Sequence, residues 1–250
     1  SWLERHGVDC ESVHVSEIRH TARFVCTTDD DHAQIATFYD GAMREARDIE
    51  LRPVADRIGG IDLVMISPND PEAMLRHTDE ARVRSYRFAA DPSQQLAWMD
   101  GASIRHLVDG AALLFSNEYE AALLEQKTGW TADEVLRRVG VRITTLGKNG
   151  SLIEQAGEPP IRVPAAGRPT PVDPTGVGDA YRAGFLAALA WGLHFERAAQ
   201  VGSLLATYVL ETVGTQEYEL GRSDVLDRMA SCYGEAAADD IAPHVKTLRP

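Results

Sequence analysis

Two periodicities divide the chain. Over residues 12–39 apolar and polar positions alternate in short β-branched runs, SVHVSEI, ARFVCTT and AQIATFY, separated by polar turns such as DDDH. A period of two with polar punctuation predicts two or three antiparallel strands. Asp29-Asp30-Asp31-His32 reads as a solvated tip between two of them rather than as a metal site.

From residue 61 strand and helix patterns take turns. IDLVMIS (61–67) predicts a buried strand, and PEAMLRHTDEARVR a helix capped by Asp70 or Asn69. YRFAADP is a strand and GASIRHLVDG a helix. AALLFS is a strand, NEYEAALLEQKTG a helix ending at Gly129, and TADEVLRRVG a helix capped by Thr131. VRITTLG is a further strand, GSLIEQAGEPPIRVPA a hairpin, and PAAGRPTP a loop. After Asp173 the pattern is helical, over 178–213 and again from 223 to about 240. Such alternation predicts an α/β fold with a mainly parallel sheet, helices on both faces, and a small β appendage near the start.

Composition narrows the class. With 250 residues, 44% of them hydrophobic, the chain can bury a substantial core. A net charge of −13 gives no electrostatic footprint for nucleic acid or an anionic membrane. The longest uncharged apolar run, AGFLAALAWGL, is well short of the ~20 residues that span a bilayer. Cys10, Cys26 and Cys232 are odd in number and widely spaced, which suits reduced thiols and a cytoplasmic location.

The chemistry concentrates in DPTGVGDAYRAGFL (173–186). Gly176 and Gly178 let backbone amides approach a ligand, and the helix that follows offers its positive N-terminus, together an anion site. Asp179, buried-looking in this context, falls at the first turn of that helix. A carboxylate there can take a proton from a hydroxyl attacking a phosphoryl group. Read alone, the same residues also suit a helix cap and a turn. No Gly-Lys-Ser/Thr follows, so the loop is not a Walker A motif.

DPTGVGDAYRAGF resembles the second signature of the ribokinase-like (PfkB) carbohydrate kinases, usually Asp-Thr-Thr-Gly-Ala-Gly-Asp, with Pro174 and Val177 as the departures. Asn117-Glu118-Tyr119-Glu120 matches that family's Asn-x-x-Glu, and Thr144 to Gly150 its Thr-x-Gly-x-x-Gly. The resemblance implies a ribokinase-like fold with a β lid at 1–45 and an α/β nucleotide-binding and catalytic domain at 46–250. It implies Asp179 as catalytic base and the amides of Thr175, Gly176, Val177 and Gly178 as an anion hole. Asn117, Thr145, Gly147 and Gly150 would meet ATP, and residues 206–216 would shape the adenine pocket. Glu120 would act on Mg²⁺ through water. A monovalent cation such as K⁺ would lie near Asp173, Thr175 and the 212–216 loop. As bare residues, Asn117 also suits a helix N-cap and Glu120 a solvated helix position.

Within the family, DPSQQLAWM, HTARFVCTTD, QIATFYDGAM and VLETVGTQEY are similar to bacterial adenosine kinases. That likeness implies adenosine as acceptor, Phe24 and Phe38 flanking the purine, and Gln94 and Gln95 near the nucleoside. Aromatic faces and amide edges suit a flat purine. Read alone, the two phenylalanines are core residues of amphipathic strands and the glutamines a helix cap. The lid would also pair two subunits into a homodimer. The family's opening aspartate-bearing strand and its Gly-Gly-x-x-x-Asn motif have no counterpart, since Gly59-Gly60 is followed by Ile-Asp-Leu. The resemblance therefore implies a member lacking its N-terminal part, with an incomplete acceptor site. Two alternatives stand beside an adenosine kinase: an inactive ATP-binding relative, and a kinase for another nucleoside or sugar.

Overall fold

The computed structural model describes residues 2–29 and 34–248. Apart from Asp29, the acidic tip read between two strands lies outside them. The chain divides into two compact units, Ser1–Leu114 with Ala122–Gly140, and Phe115–Ala121 with Val141–Pro250. This partition follows packing, whereas the sequence boundary at 45 follows the change of periodicity.

In the first unit a short helix, α1 (Trp2–Arg5), precedes an antiparallel hairpin of β1 (Arg23–Thr28) and β2 (Gln34–Tyr39). Phe24 stands opposite Phe38 and Val25 opposite Thr37, so the two pairs occupy opposite faces. Residues 12–18, expected as a third strand, form none, and Val15 and Ile18 are 79% and 85% exposed. Alternation makes a strand only where an edge is there to pair with. Here the Ser16 hydroxyl accepts the Arg19 amide at 2.8 Å and donates to Glu45, folding the segment into a local turn.

A 3₁₀ turn at Gly41–Asp48 and a helix, α2 (Leu51–Ile58), follow, neither expected from periodicity. The first amides of α2 are satisfied from a distance, Leu51 and Arg52 each donating to the Glu80 carboxylate at 2.9 Å. Burial pulls the Glu80 carboxyl upward, but these amides and Arg84 outweigh it and leave it below the ordinary range.

The remaining elements fall close to their expected places. Strands β3 (Val64–Ile66), β4 (Phe88–Ala90) and β5 (Leu113–Asn117) pair in parallel in that order. Between them lie α3 (Pro71–Val83) and α4 (Gly101–Val108), the first capped by Asp70, whose carboxylate accepts the Ala73 amide at 3.0 Å. Helix α5 (Glu118–Thr128) ends at Gly129, and α6 (Ala132–Leu136) opens on a Thr131–Glu134 capping box. Met74, Leu96, Ile104, Leu107 and Leu114 form the buried centre of this unit.

The second unit carries β6 (Val141–Thr145), β7 (Ser151–Glu154) and β8 (Ile161–Val163), paired antiparallel in sequence order. Then come α7 (Val177–Ala190), α8 (Phe195–Leu210), α9 (Arg222–Tyr233) and α10 (Glu235–Ile241). Helices α7 and α8 meet through Gly184 and Gly202, where a Cβ on Gly184 would stand 2.9 Å from the Gly202 Cα. Phe115 meets Phe185 edge-on at 5.5 Å and Phe185 stacks with Phe195, which seats α7 firmly. Among the described residues no helix is long and apolar enough to cross a membrane.

Candidate functional site

The glycine-rich stretch forms the entry to α7. Gly176 caps the helix at φ +82°, and a Cβ there would also meet Thr215 side-chain atoms at 3.0 Å. Any other residue would suffer twice, from backbone strain and from crowding. The helix begins at Val177, so its first amides have no carbonyl of an earlier turn to bond. The Val177 amide reaches only the Pro174 carbonyl, at 3.4 Å.

Asp173 fixes this loop. Its Oδ1 accepts the Thr175 amide at 2.9 Å and its Oδ2 the Gly214 amide at 3.1 Å. The backbone agrees, since the Val172 and Asp173 amides both donate to the Leu210 carbonyl. The Thr175 amide, its hydroxyl and the Gly214 amide hold the Asp173 carboxyl below the ordinary range. The turn of 173–176 is thus tied to the loop that leaves α8.

Asp179 sits in the first turn of α7 with its side chain 85% exposed. The expectation of a buried aspartate is corrected: at a helix N-terminus, nothing packs over the side chain. One turn on, Arg182 is 14% exposed and brings Nη1 to 3.6 Å from Asp179 Oδ1. Arg182 was not singled out from the sequence, although an acid and a base three apart on a helix are a readable pair.

The strand-end turn after β6 is closed by short backbone bonds, with the Leu146 amide on the Gly150 carbonyl at 2.7 Å. Gly150 is at φ +88°, and a Cβ there would lie 1.9 Å from the Val163 carbonyl oxygen. Thr145, the last residue of β6, and Gly147 belong to the same turn. At the start of α5 the Asn117 amide donates to Glu120 and the Glu120 amide to Asn117 Oδ1, both at 2.8 Å. This reciprocal cap is the plain reading that the sequence left open for Asn117. It also places a carboxylate at the end of β5.

All of these residues lie in the second unit; Phe24, Phe38, Gln94 and Gln95 lie in the first. The two phenylalanines are 54% and 53% exposed, so the reading of them as core residues fails. They share one face of the hairpin. Gln95 donates to the Asn69 carbonyl at 2.8 Å, and Gln94 accepts from the Ser93 hydroxyl. Ser93 is at φ +41°, a conformation that costs a non-glycine residue energy and tends to mark functional turns.

Among the described residues no group of three or more His, Cys, Asp and Glu side chains is placed to hold a metal ion. Mg²⁺ ordinarily takes few protein oxygens and the rest from phosphates and water, and a single carboxylate at Glu120 fits that habit. Open depressions among the described residues of the first unit include one of about 680 Å³ beside His14, Arg19 and Glu45, one of about 540 Å³ beside Arg82, Trp130 and Arg138, and one of about 440 Å³ beside Val25, Thr37 and Tyr39.

Residues 1–220 match the profile of the pfkB family carbohydrate kinases. A protein of Methanothermobacter thermautotrophicus called nucleoside kinase is 32% identical over 234 residues, 93% of this chain and 74% of that protein. The Burkholderia thailandensis nucleoside kinase in complex with inosine superimposes with a TM-score of 0.87 at 31% identity, over 93% of this chain and 76% of that one. Its complex described as ADP-inosine gives 0.85 at 31% identity, over 93% and 72%. The same architecture is described for the nucleoside kinase of Methanocaldococcus jannaschii, an archaeal member of the ribokinase family, at a TM-score of 0.81 and 27% identity, over 91% of this chain and 74% of that one.

Proposed function

We propose, for a chain that belongs to the pfkB family of carbohydrate kinases and has its ribokinase-like α/β fold, the ATP-dependent phosphorylation of a purine nucleoside. The chain is a phosphotransferase of that family, and its relatives bear the name nucleoside kinase. The observation that carries the reading is the entry to α7: a glycine turn whose first amides lack intrahelical carbonyls, beside an exposed carboxylate.

In this reading Asp179 accepts the proton of the ribose 5′-hydroxyl as that oxygen attacks the γ-phosphorus. The new O–P bond forms, the bond to the β,γ-bridging oxygen breaks, and ADP departs. Amides of Gly176 and Gly178, with the weakly engaged Val177 amide, would face the oxygens of the transferred group, where preorganised donors are worth most, while the Thr175 amide, expected among them, is taken by Asp173 Oδ1 and holds the turn instead. Asn117, Thr145, Gly147 and Gly150 would meet the nucleotide, and Glu120 would hold, through water, the Mg²⁺ that comes with it. When bound with ATP, the ion would supply positive charge to offset that of the phosphates. A monovalent cation near Asp173 and the 212–216 loop would help hold the same turn.

Phe24 and Phe38 would flank the purine, with Gln94 and Gln95 at its edge. Exposed aromatic side chains on one face of a hairpin support that role, because a flat base needs such faces. Adenosine is the acceptor that the sequence likeness favours, and inosine stands beside it because the Burkholderia protein is described with it. Val25, Ile35 and Tyr39 on the other hairpin face are also exposed, which supports a homodimer through the lid. A cytoplasmic location completes the proposal.

The test is ADP formation from ATP and Mg²⁺ with adenosine, inosine, ribose or no acceptor. Turnover that depends on adenosine or inosine supports the reading and ranks the two. Dependence on ribose alone would make the chain a sugar kinase, and silence with every acceptor from folded protein would favour an inactive relative. Sedimentation as a monomer at micromolar concentration would remove the homodimer.

A further inference from the structure

We infer that Arg182 is a positioning residue of the phosphoryl site, acting through Asp179 and the turn at Gly178. The inference rests on the reading of Asp179 as base. Arg182 Nη1 lies 3.6 Å from Asp179 Oδ1, and a Cβ on Gly178 would stand 2.7 Å from the same nitrogen. A cation therefore lies directly against the backbone of the proposed anion hole and beside the proposed base.

Burial separates this pair from an ordinary helix-surface ion pair. Exposed pairs three or four apart contribute little because water screens both partners. Here the cation is 14% exposed and the acid 85%. Withdrawing a guanidinium from water is costly, and a purely structural position of this kind is served as well by an apolar side chain. A mostly covered cation beside an exposed acid can direct a carboxylate without covering it.

The distance favours the same role. At 3.6 Å the contact is an ion pair and not a hydrogen bond. Asp179 is therefore drawn toward one side of the helix entry while its lone pairs stay open to an incoming hydroxyl. When the carboxylate takes the proton its attraction for Arg182 falls. Negative charge then gathers on the phosphoryl oxygens facing Gly178, where the guanidinium already stands. The interaction is stronger in the transition state than in the ground state, which is the condition for raising kcat.

The experiment compares the parent chain with Arg182→Met and Arg182→Lys. Methionine fills similar space without charge, and lysine keeps the charge without the planar fork. Arg182→Met should lower kcat by about 10- to 100-fold, the usual cost of a misplaced reacting group. KM for nucleoside and ATP should stay within about threefold, and the melting temperature should hold or rise, as removal of a mostly desolvated charge allows. Arg182→Lys should recover part of kcat. Unchanged kcat in the methionine variant, or a loss tracking a fall in melting temperature in both variants, would overturn the role.

A second measurement does not need turnover. Calorimetry of ADP with fluoroaluminate, a stand-in for the transferring phosphoryl, should show binding about tenfold weaker in Arg182→Met, with ADP alone unaffected. Equal fluoroaluminate binding would overturn the inference. A parent chain silent with every nucleoside would instead overturn the kinase reading, so the two failures are distinguishable.

Discussion

Asp173 and Gly214 stand 41 positions apart, yet Asp173 Oδ2 accepts the Gly214 amide at 3.1 Å while Oδ1 holds the Thr175 amide. One carboxylate thus joins the proposed anion loop to the segment that leaves α8.

Asp173→Ala should therefore loosen both segments at once. We expect a loss of roughly 1–2 kcal/mol, the worth of hydrogen bonds to a partly exposed charged acceptor, together with faster hydrogen exchange at the Gly214 amide. The pH dependence follows from the direction of the shift. The amides hold the folded carboxyl below its unfolded value, so its contribution is fully present above about pH 4 and lost as pH falls through the folded value. Protection of Gly214 should be flat from neutral pH to that point and then decline, and in the Ala variant this decline should vanish.

Asp179→Asn keeps the shape of the side chain and removes the base. Turnover should fall by at least about 100-fold, the lower end of what general-base catalysis contributes, while ATP affinity measured by calorimetry changes little. An exposed side chain at a helix start also makes the variant easy to fold. Near-parental turnover would return Asp179 to the role of a helix-end residue.

Glu120→Gln separates capping from metal handling. The amide oxygen can still accept the Asn117 amide, so the melting temperature should change little. If Glu120 also orders the water around Mg²⁺, the Mg²⁺ concentration for half-maximal rate should rise several-fold. Glu120→Ala, by contrast, should cost about 1 kcal/mol of stability through the lost cap. An unchanged Mg²⁺ requirement in the Gln variant would leave Glu120 as a cap alone.

Phe38→Ala should weaken nucleoside binding by roughly 1–3 kcal/mol, the usual worth of an aromatic stacked on a base. Because Phe38 is 53% exposed, the melting temperature should barely move. A fall in stability with unchanged nucleoside affinity would place the ring in packing and not in recognition.

The strands and helices beyond residue 61 were legible because each carries its own signal. Asp70 with Pro71 starts α3, Gly129 stops α5, and Thr131 with Glu134 boxes α6. The glycine turn before α7 was legible for the same reason, since Gly176 and the helix behind it are local. Helix α2 was not, because the groups that complete it sit on Glu80, 29 positions away from Leu51. The alternating stretch at 12–18 misled because a strand depends on an edge that local sequence does not contain.

Spacing along the chain was enough for the strands and helices beyond residue 61, for the glycine turn and for an acid at the start of α7. That Asp179 is exposed, that Phe24 and Phe38 face solvent, and that Asp173 reaches Gly214 came from the folded chain. Exposure and long-range hydrogen bonds depend on what packs against a residue from elsewhere in the chain, and periodicity carries no record of that.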